Sequence, residues 1–382
     1  MTASDPVAVD VVCHHDRPDS ALLLDAALPA ARLAAGTGVL AHVERHWLHG
    51  PHVRVRLHGP PRVVRELVGP VRARFTRHVA TRPVPPPLDP ADLLARAVVA
   101  GRAELVPGPY EPFHPHGTVR VERPDEAPLA ELLGSAAAVG HRRRLMADAL
   151  DAVEVSTRLL RAERDTPGVR VRVALAALTA HAAGYPQGIA AGSTSYLSHV
   201  EDLLHRADPD GRIRERFAAV WRRTGDRVTE AVRSAAQGDP PDALHAAWSD
   251  WSAGAAAVCR PAFARGDIPL VPGDGHRDRA RRVGDDATAV QWDHGRRTDY
   301  SEFHRRVGPD WPARIAADLG PYRFATNVLY PVLAACGVQP LDRYLAGYLV
   351  AEATQRLAGR TWRDPRGWPP SPPPPVTAGS TR

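Results

Sequence analysis

Val39-Leu40-Ala41-His42-Val43-Glu44-Arg45-His46-Trp47-Leu48-His49-Gly50-Pro51-His52-Val53-Arg54-Val55-Arg56-Leu57-His58 reads as two period-two stretches, Val39 to Trp47 and His52 to His58, joined by a turn. In the second stretch Val53, Val55 and Leu57 fall on one side, and Arg54, Arg56 and His58 on the other. Apolar residues at a spacing of two cannot line one stripe of a helix, so this part of the chain must supply a sheet. Leu48-His49-Gly50-Pro51 is the turn between the strands. The flanks extend the pattern. Val7 to Cys13 is a short apolar run, Ser20 to Ala35 and about Arg62 to Ala80 have helical spacing, and Thr118 to Glu122 reads as another strand. The order strand-helix-strand-strand-helix predicts a mixed sheet with helices packed on it, reminiscent of half a ferredoxin-like unit. The Arg54, Arg56 and His58 face is a candidate polar wall for a substrate.

Beyond this region the spacing changes. Pro83 to Pro90 holds five prolines in eight residues and reads as a stiff connector before a helix of about Ala91 to Ala103. The loop Glu104 to Gly117 is proline-rich and carries Tyr110 and Glu111 as candidate binding residues. His114 and His116 have a spacing that could suit a metal but lack a third ligand nearby, so ordinary loop histidines and no metal site are expected. From Pro128 the pattern is mostly helical: Leu129 to Gly140, Arg142 to Arg161, Val169 to Ala183, Arg212 to Ala236, Pro241 to Ala257 and Leu341 to Leu357. Trp248 and Trp251 read as core. Gly266 to Gly295 reads as a flexible segment. Gly320-Pro321 is expected to end a helix of Trp311 to Leu319 and to begin another, Tyr322 to Cys336, kinked at Pro331. Residues 363–382 read as a disordered, proline-rich tail. The fold class is therefore α+β: a sheet-containing lobe over residues 1–125, a mainly helical lobe over 126–362, and a substrate groove between them.

Composition narrows the function. The 382 residues can bury a large core. The first ten residues contain acidic groups, no basic start and no long apolar run, which points to a cytoplasmic protein with no membrane partner. Three widely spaced cysteines make neither a disulfide framework nor a zinc cluster. The formal charge is +6 and every one of the 49 basic residues is arginine. Many acidic residues are interspersed and no nucleic-acid motif is present, so an acidic peptide explains the charge as well as a nucleic acid does, and no nucleic-acid partner is expected. Lysine is absent and Asn327 is the single asparagine, as expected of a strongly GC-rich genome. Residues that such a bias removes elsewhere stand out where they remain. Five of the eight tyrosines, Tyr300, Tyr322, Tyr330, Tyr344 and Tyr348, gather near Asn327.

A second stretch carries candidate chemistry. Ser193-Thr194-Ser195-Tyr196-Leu197-Ser198-His199-Val200-Glu201-Asp202-Leu203-Leu204 follows the loop Gly184 to Gly188. Ser193 to Ser195 are expected to cap a helix whose N-terminus favours developing negative charge. Tyr196 and His199, three residues apart, share one side of it. On the later helix Arg323, Asn327 and Tyr330 project from one polar face. No phosphate loop, dinucleotide fingerprint, zinc spacing or Gly-x-Ser-x-Gly elbow is present, so an enzyme of this sequence works by positioning and proton transfer.

Four segments resemble one family. Ser195 to Glu201 resembles the Ser-Tyr-x-Ser-His-x-Glu segment of the pyridine synthases of thiopeptide maturation, relatives of the elimination domain of lantibiotic dehydratases. Arg45 to Arg56 is similar to the Arg-x-Trp-x-x-Gly-Pro-His-Leu-Arg-Leu segment of that wider family, and Tyr110-Glu111-Pro112 to its Tyr-Glu-Pro. Asn327 to Tyr330 with Gly337 to Leu345 is similar to its closing helical pair. The resemblance implies a cofactor-independent formal aza-[4+2] cycloaddition between two dehydroalanines of a modified precursor peptide, with loss of water and of the leader peptide. It also implies a partner with an acidic leader and an azole-containing core. In that scheme His199 and Tyr196 move protons, Tyr322 and Tyr330 hydrogen-bond the azadiene and departing hydroxyl, and Asn327 fixes a core amide. Ser193 and Ser195 supply the helix N-terminus, while Arg54, Arg56, Tyr110, Glu111 and Arg323 contact the peptide. Two alternatives remain: a partner that eliminates glutamate from glutamylated serines, and a non-catalytic peptide-binding scaffold.

Overall fold

The computed structural model describes residues 5–269, 275–293, 296–308, 316–364 and 368. Strand β1 (Val7–His14) is followed by a helical run, α1, over Ser20–Leu22, Leu23–Ala27 and Leu28–Arg32, whose middle part is π-helical. Strands β2 (Leu40–His46) and β3 (His52–Gly59) form a hairpin, and helices α2 (Pro61–Ala80) and α3 (Pro90–Glu104) lead to β4 (Val119–Glu122). The sheet order is β2-β3-β1-β4 and every neighbouring pair is antiparallel. The α+β class stands, whereas the expected mixed sheet is corrected. Apart from the inserted α3, the unit is a complete βαββαβ arrangement, because the helical crossovers return the chain to positions where no two adjacent strands run parallel.

Register explains why both faces of this sheet are covered. Val11, Val55 and Val43 sit opposite one another on a face packed by α1 and α2. On the other face Asp10, Arg56 and His42 form one row, and Val12, Arg54 and Glu44 the next. That face is not a free polar wall. Helices α5 (Ala136–Asp148) and α14 (Ala316–Ala335) cross it at β2. Arg56 makes a two-pronged ion pair with Asp10 at 2.6 and 2.7 Å. Arg54 and Arg142 converge on Glu44, and Arg143 binds Glu126. Arg54 and Arg56, expected to touch a substrate, instead neutralise buried carboxylates between sheet and helices. The surrounding arginines hold the Glu44 carboxyl well below the usual range despite its burial.

The helical part comprises α4 (Ala127–Leu133), α5, α6 (Leu150–Ala162), α7 (Pro167–Ala183), α8 (Ile189–Ala207), α9 (Arg212–Ala236) and α10 (Ala243–Ala264). Shorter helices α11 (Gly275–Val283), α12 (Asp286–Gln291) and α13 (Glu302–Val307) precede α14 and α15 (Pro340–Ala358). One hydrophobic cluster runs from Val11 and Val55 through Leu145, Trp248 and Val328 to Val350, so the sheet and the helices share a core. Trp248 and Trp251 are buried as expected, their indole N–H groups donating to Ser156 and to the Leu145 carbonyl. Among the described residues no helix is long and apolar enough to cross a membrane.

Three sequence expectations change. Gly320-Pro321 does not end a helix, since α14 runs through both Pro321 and Pro331. Half of the stretch expected to be flexible is helical, with Asp285 capping α12 and Arg282 paired to Glu131; residues 270–274 and 294–295 lie outside the described residues. Trp368, assigned to the tail, is buried and donates to Thr194 at 3.2 Å. An indole with a partner for its N–H can be buried where prolines cannot bury themselves. Residues 311–315, 365–367 and 369–382 lie outside the description.

The charged layer yields a sharp expectation. Asp10→Ala should lower stability by about 3–5 kcal/mol because Arg56 is left buried without its partner. Replacing both, as Asp10→Leu with Arg56→Leu, should recover at least half of that loss in urea unfolding. A single variant within about 1 kcal/mol of the parent would show that the pair is solvated.

Candidate active site

Helix α8 begins after Gly188, whose φ of 87° suits a residue without a side chain. The start is a turn earlier than the hydroxyl pattern implied. Ser193 therefore lies inside the helix, donating to the Ala190 carbonyl and paired with Thr354 at 2.9 Å, and Ser195 is buried beside it. These serines do not cap a helix, and the oxyanion role resting on that cap is withdrawn.

The helix crosses its neighbours closely because small residues allow it. A Cβ on Gly192 would lie 2.5 Å from the Ala182 carbonyl oxygen, and one on Gly347 would lie 3.3 Å from Tyr196 Cβ. The close approach buries Tyr196, which donates to the Leu178 carbonyl at 3.1 Å. The Tyr322 hydroxyl lies 3.1 Å from that of Tyr196 and 3.0 Å from the Gly192 carbonyl. The Tyr322 ring stacks on His181 at 4.3 Å, and His181 is held between Ser252 and Thr326. Burial raises the pKa of both phenols and lowers His181 to about 4. Beside His181 and Tyr322 is a cavity of about 20 Å³, room for roughly one water. Tyr196 and Tyr322 thus form an interior hydrogen-bonded pair with their hydroxyls committed to the protein.

One turn along α8, His199 Nδ1 meets Tyr330 Oη at 2.7 Å, and both residues are partly exposed. Burial, with the positive charges of Arg343 and Arg323, lowers His199 to about 4. Burial also raises the Tyr330 phenol, against the pull of Arg343. At neutral pH the pair is a neutral imidazole and a protonated phenol. Such a pair can accept and return a proton without creating a lasting charge. The Arg343 guanidinium lies over the Tyr330 ring, 4.0 Å from its centroid. Arg323, Asn327 and Tyr330 share one stripe of α14 at spacings of four and three, about 10 Å from end to end. Asn327 is exposed and its side chain makes no hydrogen bond to the described residues.

The sheet half brings a second wall. Trp47, at the end of β2, stacks on His46, meets Tyr110 edge-on at 5.6 Å, and donates its indole N–H to Glu104 at 3.0 Å. Tyr110 donates its phenol to the Val106 carbonyl and packs so tightly on Gly101 that a Cβ there would lie 2.1 Å from its oxygen. Desolvation raises the Glu104 carboxyl, opposed by the Trp47 hydrogen bond and the charge of Arg343. That influence of Arg343 links the two walls. Glu111 is exposed, with no hydrogen bond or ion pair to the described residues.

The structure thus brings His199, Tyr330, Asn327 and Arg323 to one surface, with Tyr196 and Tyr322 beneath it; it buries Arg56, Ser193 and Ser195 and leaves Arg54 half-buried and committed to Glu44. Sequence reasoning missed Glu104 and gave Arg343 no role. Glu104 carried a faint signal, as an acidic residue at the end of a helix that favours cations. Arg343 carried none, because only the α14–α15 turn places it over Tyr330.

Histidines also gather at one end of the sheet. His14, His52 and His46 form a register row, joined by His114, with His14–His52 and His14–His114 ring centroids at 5.0 and 4.5 Å. Burial first, then neighbouring positive groups, lower His14 and His52 to about 3. His114 therefore has histidine neighbours that its sequence did not reveal. Among the described residues, however, no three such groups are placed to hold a metal ion.

No family model matches the chain, and no curated protein does either. Solved structures do. One described as the pyridine synthase TbtD from thiomuracin biosynthesis is similar over 93% of this chain and 99% of its own, at 23% identity and a TM-score of 0.64. The structure of TsrL is similar over 93% of this chain and 96% of its own, at 19% identity and a TM-score of 0.56. The likeness establishes a common α+β fold across nearly the whole length.

Gly192→Ala tests the packing beneath the site. The added methyl should push α8 from α7 and cost about 1–3 kcal/mol in denaturant unfolding, with a change in near-ultraviolet dichroism from displaced tyrosines. An unchanged midpoint and spectrum would mean that the crossing has slack.

Proposed function

We propose that this protein is a thiopeptide pyridine synthase, joining two dehydroalanines of a modified precursor peptide by a formal aza-[4+2] cycloaddition and releasing water and leader. The observation that carries the reading is the His199–Tyr330 hydrogen bond at 2.7 Å on a polar surface, in a fold shared with a pyridine synthase. The sequence segments around His199 and Tyr330 that resemble this family support the same reading.

The reaction sets three physical demands. Two distant alkenes must be folded together, a task for a groove that takes over the entropic cost. One amide must tautomerise to a 2-azadiene, giving up its N–H proton and gaining one on oxygen. The cyclised product must then lose a hydroxyl and the leader. In our reading the Tyr330 phenol donates toward His199 Nδ1 and its oxygen accepts the amide N–H, so that one concerted shift carries a proton toward the imidazole. The imidazolium then gives that proton to the amide oxygen, completing the neutral azadiene; after ring closure the same pair takes a ring proton and delivers it to the departing hydroxyl, which leaves as water. Asn327 holds a core-peptide amide alongside, Trp47 and Tyr110 give an aromatic face for an azole, and Tyr196 with Tyr322 fix the depth of α8 against α14. The acidic leader binds the arginine-rich surface, and the enzyme needs no cofactor.

The experiment is incubation of the purified protein, with nothing added, with a synthetic azole-bearing peptide containing a leader and two dehydroalanines, followed by mass spectrometry. Release of the leader as a carboxamide together with a smaller macrocycle is the expected result. Conversion of a glutamylated precursor instead would transfer the protein to glutamate elimination. His199→Ala and Tyr330→Phe should each reduce kcat by about 100-fold while peptide affinity changes little. Wild-type turnover in both would remove the pair from the mechanism.

The pH profile follows from the same pair. A base whose pKa is lowered to about 4 keeps its working form at every higher pH. The rate should therefore stay level as pH falls from about 8 to about 5 and decline only on approaching about 4. A midpoint near the ordinary histidine value would show that His199 is not the titrating base.

A further inference from the structure

The charges around His199 do not balance. Arg323 and Arg343 both lie close enough to depress its pKa, and neither has a carboxylate partner among the described residues. On the α8 side Asp202 acts in the opposite sense, but it is held by Arg206 and Arg297. From α13 His304 adds to the depression; its ring is held between Ser198 and Ser301. Across the gap Glu104 is held by Trp47. Desolvation lowers even the Arg323 guanidinium, which marks a cation drawn from water without compensation.

We propose that Arg323 and Arg343 form a subsite for a carboxylate of the peptide substrate, seated against the His199–Tyr330 pair. Arg343 is oriented for this by its stacking on Tyr330 at 4.0 Å, with Tyr344 beside it at 5.2 Å, which leaves the N–H edge of the planar group free to donate. Asn327, one turn from Arg323, is exposed and adds a neutral donor. Two guanidiniums and an amide, with no glycine-rich loop and with the nearby start of α15 already capped by Gln339 and Asp342, suit a singly charged planar anion better than a phosphate. The carboxylate would be an acidic side chain of the peptide near the reacting residues. Its seat would fix register in a substrate whose reacting alkenes carry no charge. The identity of the peptide rests on the pyridine synthase reading; the existence of the subsite does not.

The test therefore reads binding and not turnover. The full-length protein, with histidine ring carbons labelled, is titrated with the short peptide acetyl-Ala-Glu-Ala-amide and with its Gln counterpart, following His199 by nuclear magnetic resonance assigned through His199→Ala. The Glu peptide should shift the His199 signal saturably and raise its midpoint by about one pH unit or more, because an anion offsets the two arginines. The Gln peptide should do neither. Arg323→Gln and Arg343→Gln should each weaken Glu-peptide binding at least about 10-fold, whereas Arg343→Lys should retain part of the response and the surface control Arg216→Gln all of it. Equal responses to the Glu and Gln peptides, or indifference to both glutamine variants with circular dichroism unchanged, would overturn the subsite. A stronger response to inorganic phosphate than to the Glu peptide would overturn its assignment to a carboxylate. If the subsite holds while no macrocycle forms in the turnover assay, only the cyclisation reading falls.

Discussion

The structure depends on a layer of charge sealed between sheet and helices. Asp10 and Glu44 point away from the apolar side of their strands, into a space that α5 and α14 close. Buried carboxylates there are tolerable only because Arg54, Arg56 and Arg142 reach them with short, directed hydrogen bonds. This requirement fixes the register of β1, β2 and β3 more firmly than apolar packing alone, since a slip of one residue would turn every carboxylate into the aliphatic core. With the sheet held in that register, Trp47 emerges at the end of β2 against Tyr110 and Glu104.

Small residues perform the matching task among the helices. Gly192 and Gly347 allow α7, α8 and α15 to approach until Tyr196 is fully enclosed. Its hydroxyl, the Tyr322 hydroxyl and the Leu178 carbonyl then satisfy one another. Above this layer Asn327 is exposed with its amide unpartnered among the described residues, while within the layer the Tyr185 hydroxyl, packed against Tyr322, is buried without a partner.

Much of the fold was legible in the chain. Period-two spacing gave the hairpin, and apolar spacing gave α9 to the residue, because both patterns are local. Pairing order was not legible. Nothing within β4 says that it adds beside β1, so the sheet was expected to be mixed. Sequence suggested His199 and Tyr330 separately, and only the packing of α8 on α14 joins residues 131 positions apart. The reading of Arg54 and Arg56 failed for an instructive reason. A strand face rich in arginine looks solvated until the acids that neutralise it, Asp10 and Glu44, are known to lie in the neighbouring strands. Ser193 and Ser195 misled similarly, since a hydroxyl can bond back to its own helix as readily as it can cap one.

The core common to the sheet and the helices has a consequence for how such proteins can diversify. A substitution beneath either wall is felt through the other, so drift in the layer that joins them is constrained on both sides at once. The loop from Leu105 to Gly117, which frames Trp47 and Tyr110 without contributing most of that core, is freer to vary in length and composition. New substrate preferences are thus more accessible by remodelling this rim than by repacking the ground on which His199 and Tyr330 stand, much as a lock is recut at its wards while its case is kept.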